Sequence, residues 1–199
     1  MNRQMTLSQY RVLDIGIFSA LLCVIEVLAA LGSRIWFPQE LYTLSLTAAV
    51  CALVMVRWGL RAMIPAALGG VAFCVASGAK AEQYLIYILG NLCCAAVYPM
   101  VQKDNWQRVR ENVLLCMLYG CLMALSMQLG RAVMALLCGY DAAVCLMFLT
   151  TDVISTLFSV VLCWIARRLD GVMEEQKHYL WRIQKEIKEE QAKARGMDV

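Results

Sequence analysis

The chain has 199 residues, 61% of them hydrophobic, a mean hydropathy of +0.63 and a formal charge of +3. So little polar surface predicts one compact bundle in a bilayer with a single polar tail. It excludes a nucleic-acid binder, which needs a dense basic patch, and a membrane β-barrel, whose strands would alternate apolar with polar residues.

Residues 1–11 are polar and no small-residue cleavage site of the usual kind follows, so the first apolar stretch is expected to stay as an anchor. Six such stretches run over residues 12–32, 41–56, 61–77, 84–101, 113–130 and 143–166. Each is about long enough to cross ~30 Å of hydrocarbon at ~1.5 Å per residue. They are apolar on every side, and in lipid only a helix then satisfies the backbone. Arg3, Arg11, Arg57, Arg61, Lys103, Arg108, Arg110, Arg167 and Arg168 fall at alternate ends of these stretches, against Arg34, Lys80 and Arg131 at the others. Short loops rich in Lys and Arg stay in the cytoplasm. The expected fold is all-α: a six-helix transmembrane bundle over residues 1–168, both termini inside, and an amphipathic cytoplasmic helix over 169–199.

In chain order, the first span carries Glu26 toward its outer half, Asp14 near the inner interface, where water reaches it, and the small pair Gly16 and Ala20. The first outer loop, 33–40, brings Arg34, Trp36, Phe37 and Pro38. The third span has small residues every four positions: Ala62, Ala66, Gly70, Cys74 and Gly78. That spacing lets helix backbones approach closely, either inside the bundle or against a partner. The next outer loop, 78–83, holds Lys80 and Glu82. On the fourth span, Tyr84, Tyr87 and Asn91 stack on one side at i, i+3, i+7. The inner segment 102–111 is the most polar connection. Arg131 opens outer loop 131–142, whose apolar run 132–138 is too short to span and either folds back as a lid or lengthens the fifth helix. Asp152 lies near the middle of the sixth span and shares a face with Ser155.

The tail repeats apolar residues at Leu169, Val172, Met173, Leu180, Ile183 and Ile187, one helical stripe. Arg182–Glu186, Lys185–Glu189 and Glu189–Lys193 stand at i,i+4. Its charges nearly balance, which suits a protein contact better than a lipid surface. Gly171 weakens continuity with the sixth span.

All ten cysteines lie in apolar sequence, nine in the six stretches and Cys138 in the run 132–138, and the one histidine, His178, is in the tail. No zinc or disulfide spacing results, and the cysteines read as small packing residues. Neither a nucleophile elbow, a zinc-protease helix nor a phosphate loop occurs, so neither catalysis nor a bound cofactor is expected, and ATP-driven work would need another subunit. Ionisable groups at membrane depth mark function or a paired partner. With Trp36, Tyr84, Tyr87, Asn91, Arg131, Asp152 and Ser155 in the outer half, an outward cavity with aromatic walls and a few fixed polar groups is expected. The alternative is an interfacial aromatic belt with one buried pair, Arg131–Asp152 or Arg131–Glu26.

Arg57-Trp58-Gly59, the small-residue helix to Gly69-Gly70, Tyr84-Leu-Ile-Tyr87-Ile-Leu-Gly90-Asn91, and Leu169-Asp170-Gly171 through Tyr179-Leu180 resemble the substrate-binding S components of energy-coupling factor (ECF) vitamin transporters. The resemblance implies a subunit that binds one micronutrient on its outer side. It also implies a separate coupling membrane protein and two ABC-type ATPases that dock on small-residue faces. Gly16–Ala20 stands where that family carries an alanine-x-x-x-alanine contact, and Ala62, Ala66 and Gly70 extend the docking surface. Trp36 and Tyr87 are expected to stack on the ligand, Asn91 to hydrogen-bond it, and Arg131 to hold an anionic group with Asp152 orienting it. Two other readings are a non-catalytic scaffold of a cell-envelope assembly complex and, less well supported, an ion-coupled transporter. Six spans are few for the last, and no pair of broken helices stands at matching places in two halves.

Overall fold

The computed structural model describes residues 6–36 and 44–197, without the side chains of residues 34, 36, 188 and 190–197. Its helices are α1 (Leu7–Trp36), α2 (Thr47–Trp58), α3 (Met63–Ser77), α4 (Ala81–Leu92), α5 (Asn105–Glu111), α6 (Val113–Leu137), α7 (Ala142–Thr150), α8 (Val153–Ala166) and α9 (Gln176–Met197). Tighter 3-10 turns occupy Gly59–Ala62 and Cys93–Met100. Among the described residues, five helical runs are long and apolar enough to cross a membrane: Leu7–Ser33, Thr47–Ser77, Ala81–Met100, Val113–Leu137 and Ala142–Ala166. Large apolar side chains such as Leu13, Ile17, Leu28, Leu114 and Leu137 face outward, a surface that suits lipid and penalises water.

The second of these runs is folded back on itself. Gly59 sits at φ 65°, ψ −139°, a backbone open to glycine and costly for other residues. Thr47 and Gly69 would stand about 33 Å apart on one straight helix, yet a Cβ added to Gly69 would lie 2.5 Å from Thr47 Oγ1. α2 therefore runs antiparallel to both α1 and α3. α1 packs along α3, α3 on α4, and α4, α7 and α8 on α6, with α2 closing against α6 and α8. Tyr119, fully buried among Cys51, Cys116 and Cys163, donates its hydroxyl to the Ala52 carbonyl at 2.8 Å. All ten cysteines are unpaired.

Four elements of the bundle differ from the sequence expectation, and the start of the tail makes a fifth. The helical part of the second stretch starts at Thr47 rather than 41, because its start is fixed by a cap described below; residues 41–43 lie outside the described residues. The fourth stretch tightens to 3-10 at Cys93, where Pro99 has no N–H to give to a regular ladder. The run 132–138 lengthens α6 instead of forming a loop, leaving only a short turn at Gly139, φ 85°. The sixth stretch is broken at Thr151–Asp152. There the Thr151 hydroxyl donates to the Met147 carbonyl at 2.7 Å, and Gln128 Nε2 and Thr156 Oγ1 both reach the Asp152 carbonyl, at 3.3 and 3.2 Å. Side chains thus compete with the helical ladder.

The tail helix begins at Gln176, not Leu169. Gly171, at φ 70°, turns the chain so that Met173, Glu174 and Gln176 are buried against the bundle. Arg57 ties this turn down: Nε and Nη2 donate to the two carboxylate oxygens of Asp14 at 2.9 and 2.8 Å, and Nη1 donates to the Gly171 carbonyl at 2.6 Å. Trp58 Nε1 adds a third bond to Asp14 at 2.6 Å. Asp14 is therefore a bidentate partner of a buried arginine, and the expectation that water solvates it is corrected. Residues 169–182 pack as part of the bundle: Arg110 and Arg182 both reach Asp170 and Glu174.

Candidate functional site

The polar residues of the opposite end gather where α2, α3, α4, α6 and the α7–α8 break meet. Glu26, fully buried on α1, caps α2 from outside that helix. Its Oε1 accepts from the backbone N–H groups of Leu46 and Thr47 at 2.8 and 3.0 Å and from the hydroxyls of Ser45 and Thr47 at 2.8 and 2.9 Å. The first turn of any helix leaves its N–H groups without partners. In lipid no water meets them, so a carboxylate borrowed from a neighbouring helix sets where α2 starts.

One layer across lies the ion pair. Arg131, inside α6 and 7% exposed, places Nη1 2.7 Å from Asp152 Oδ2, and Asp152 is 1% exposed. The arginine approaches this depth because Gly90 and Gly130 let α4 and α6 touch: a Cβ on Gly90 would fall 2.6 Å from the Arg131 backbone nitrogen. Its guanidinium also lies 5.3 Å from the centre of the Tyr87 ring, a cation–π contact. Tyr87 in turn stacks with Phe73 at 4.7 Å and meets Phe148 edge-on at 6.0 Å.

Asn91 is buried one turn farther along α4. Its Nδ2 donates to the Ala66 carbonyl at 3.1 Å, and its Oδ1 has no partner among the described residues; nor does Arg131 Nε. Ser155 Oγ accepts from the Ser45 N–H at 3.0 Å, joining the α8 start to the α2 start. Thr47, Gly70, Phe73, Tyr87, Asn91 and Arg131 line a cavity of about 10 Å³, the room of one water molecule.

Of the residues the sequence singled out, Tyr87, Asn91, Arg131, Asp152 and Ser155 come together. Tyr84, half-buried one turn earlier on α4, does not line the cavity. Trp36 ends α1, and its side chain lies outside the described residues, as does that of Arg34. Of the basic residues placed at the outer ends, Arg131 is internal and paired with Asp152, while Lys80 is exposed at the start of α4. Ala62, Ala66 and Gly70 face the interior, with Ala66 bound by Asn91 and Gly70 against the Tyr87 backbone. No partner helix reaches them, so their expected docking role is corrected to internal packing. Gly16 and Ala20 do lie at the surface, on an apolar groove between α1 and α3 edged by Ile64 and Leu68.

Gln128 was not singled out. It is buried on α6 one turn before Arg131 and donates to Thr156 Oγ1 at 2.9 Å and to the Asp152 carbonyl, bracing the break. An uncharged amide in an apolar run was visible at i, i+3 from Arg131, and that spacing is the signal that would have found it. No protein family, curated protein or solved structure matches this chain.

Proposed function

We propose that this chain is the substrate-binding membrane subunit of an ATP-driven importer of the ECF type, taking a small, water-soluble micronutrient and having no ATPase of its own. The supporting observation is the buried Arg131–Asp152 pair set on a broken helix beside Asn91, with polar valences on Arg131 and Asn91 left unfilled. Charges at such depth cost several kcal/mol (~3 on insertion scales) and are kept where they serve a site. In this reading the chain crosses the cell membrane six times with both termini cytoplasmic. The reversal at Gly59 and the alternation of basic residues support that topology. The break at Asp152 then lies within the last crossing, where non-helical backbone is tolerated because it faces the polar cluster. Tyr87 stacks on the ligand, Asn91 Oδ1 accepts from it, and Arg131 exchanges part of its bond to Asp152 for an anionic ligand group. A micronutrient needs a few hundred Å³ (~300 or more), so binding widens the present cavity by parting α4 and α6 from the start of α2. The coupling protein and two ATPases dock from the side of α1, where Gly16 leaves open space.

The small, closed cavity favours a second reading, a non-catalytic scaffold of a cell-envelope assembly complex, in which the same pair fixes helix positions and binds nothing.

Mass spectrometry of small molecules retained by the purified chain separates the two. The importer reading predicts a retained compound whose affinity falls roughly 5- to 150-fold in Asn91→Ala, the loss of one buried hydrogen bond at ~1–3 kcal/mol. If Asn91→Ala and Asp152→Ala both bind it within about twofold of wild type, the site lies elsewhere; if no compound is retained under any extraction, the scaffold reading stands.

A further inference from the structure

A second cavity, of about 200 Å³, opens at the opposite end of the bundle between the Gly59 turn, the Cys93–Met100 turn and the start of α9. Its aromatic walls are fixed. Trp58 is held by Asp14, Tyr98 packs 3.1 Å from where a Gly59 Cβ would stand, and buried Trp106 meets the His178 ring at 5.7 Å. Arg61, Lys103 and Lys177 line it, each exposed, and none makes an ion pair among the described residues. Lys103 does so from φ 56°, and among the described residues no other non-glycine has positive φ, a backbone that L side chains adopt at a cost. The acids nearby offset this charge only in part. Glu175 lines the cavity and Asp104 follows Lys103, while Asp14 is taken up by Arg57.

Three unpaired cations converge from three elements that are distant in sequence. They rim a polar cavity with a preformed aromatic floor, beside the lipid-facing helices. Neutral ligands gain nothing from such a rim, and a phosphate gains from every member of it. We infer that this cavity binds a phosphate group, that of an anionic phospholipid headgroup entering from the adjoining leaflet. A basic pocket between helices at the membrane surface suits such a headgroup, each cation contributing electrostatic attraction over a Debye length. Bound there, the headgroup bridges the Gly59 hairpin, the loop before α5 and the start of the tail.

The test is native mass spectrometry of the full-length chain equilibrated with equal phosphatidylglycerol and phosphatidylcholine, with the triple variant Arg61→Ala, Lys103→Ala, Lys177→Ala beside it. Wild type is expected to retain phosphatidylglycerol preferentially, and the variant to lose about fivefold in retention per cation removed. Lys185→Ala, on the exposed part of the tail, keeps it. A melt in detergent checks that the variant is folded. If wild type does not prefer phosphatidylglycerol, but millimolar inorganic phosphate raises its melting temperature and not the variant's, the site is a phosphate site served from solution. Equal retention of both lipids with no shift by phosphate, or preference unchanged in a folded triple variant, overturns the inference. None of these readouts depends on the ligand of the Arg131 cluster.

Discussion

Arg131 is accommodated inside the bundle because three things converge on it: the Asp152 carboxylate at 2.7 Å, the Tyr87 ring, and the clearance given by Gly90 and Gly130. A buried pair of this kind need not add net stability, since both ions lose their hydration, but removing one member strands the other. Asp152→Ala is therefore expected to lower stability by about 3–5 kcal/mol, and the double change Arg131→Met with Asp152→Ala to recover most of that loss. Denaturation in mixed micelles measures both. Equal loss in the single and double variants would mean that the pair is not coupled as described. These residues were legible in the sequence because charged and amide groups stand out in apolar runs. Their partners were only partly so. Glu26 was visible as a buried acid, but the N–H groups it caps belong to a segment beyond the first outer loop, and no local spacing encodes that meeting.

At the scale of elements, the length of the apolar runs, and in the tail their periodicity, located nearly every long helix but not where helices stop. The α7–α8 break has no Gly or Pro to announce it; hydroxyls and an amide from α6 produce it. The small-residue stripe on α3 was readable as close packing, and only the fold decides that it faces α4 and not a partner. The start of the tail behaves as an element of the bundle, fastened by salt bridges. The Arg182 hydrogen bond, aided by Arg110, holds the Asp170 carboxyl below its ordinary value of 3.8. A lowered folded pKa contributes stability that is fully present above the ordinary value and is lost as pH falls through the lowered one. Docking of residues 170–182 is accordingly expected to be unchanged from neutral pH down to about 4 and to weaken below it. The effect is small, ~1 kcal/mol or less, because Asp170 is exposed. Amide exchange of the tail against pH reads this directly; protection lost already near pH 6 would assign the fastening to another group.

For the molecule as a whole, composition and the spread of basic residues were enough to read an all-helical membrane protein. What they could not give was the division of labour between its ends. One end holds a self-paired polar cluster around Arg131, the other a cation-rimmed cavity and the anchored tail. The α1–α3 groove at Gly16 and Ala20 runs between them on the lipid side. A side chain at Gly16 meets nothing within 4 Å, so Gly16→Leu should fold normally while filling the space a partner helix needs.

The most direct measurement of the central claim is a mild-detergent pull-down of the tagged chain from its native membrane, wild type beside Gly16→Leu, with mass spectrometry of proteins and small molecules. The importer account predicts that wild type brings down a coupling membrane protein, two ATPases and a micronutrient, and that Gly16→Leu keeps the micronutrient but loses the three proteins. Recovery of wall-synthesis or division proteins with no ATPase and no small molecule would contradict it.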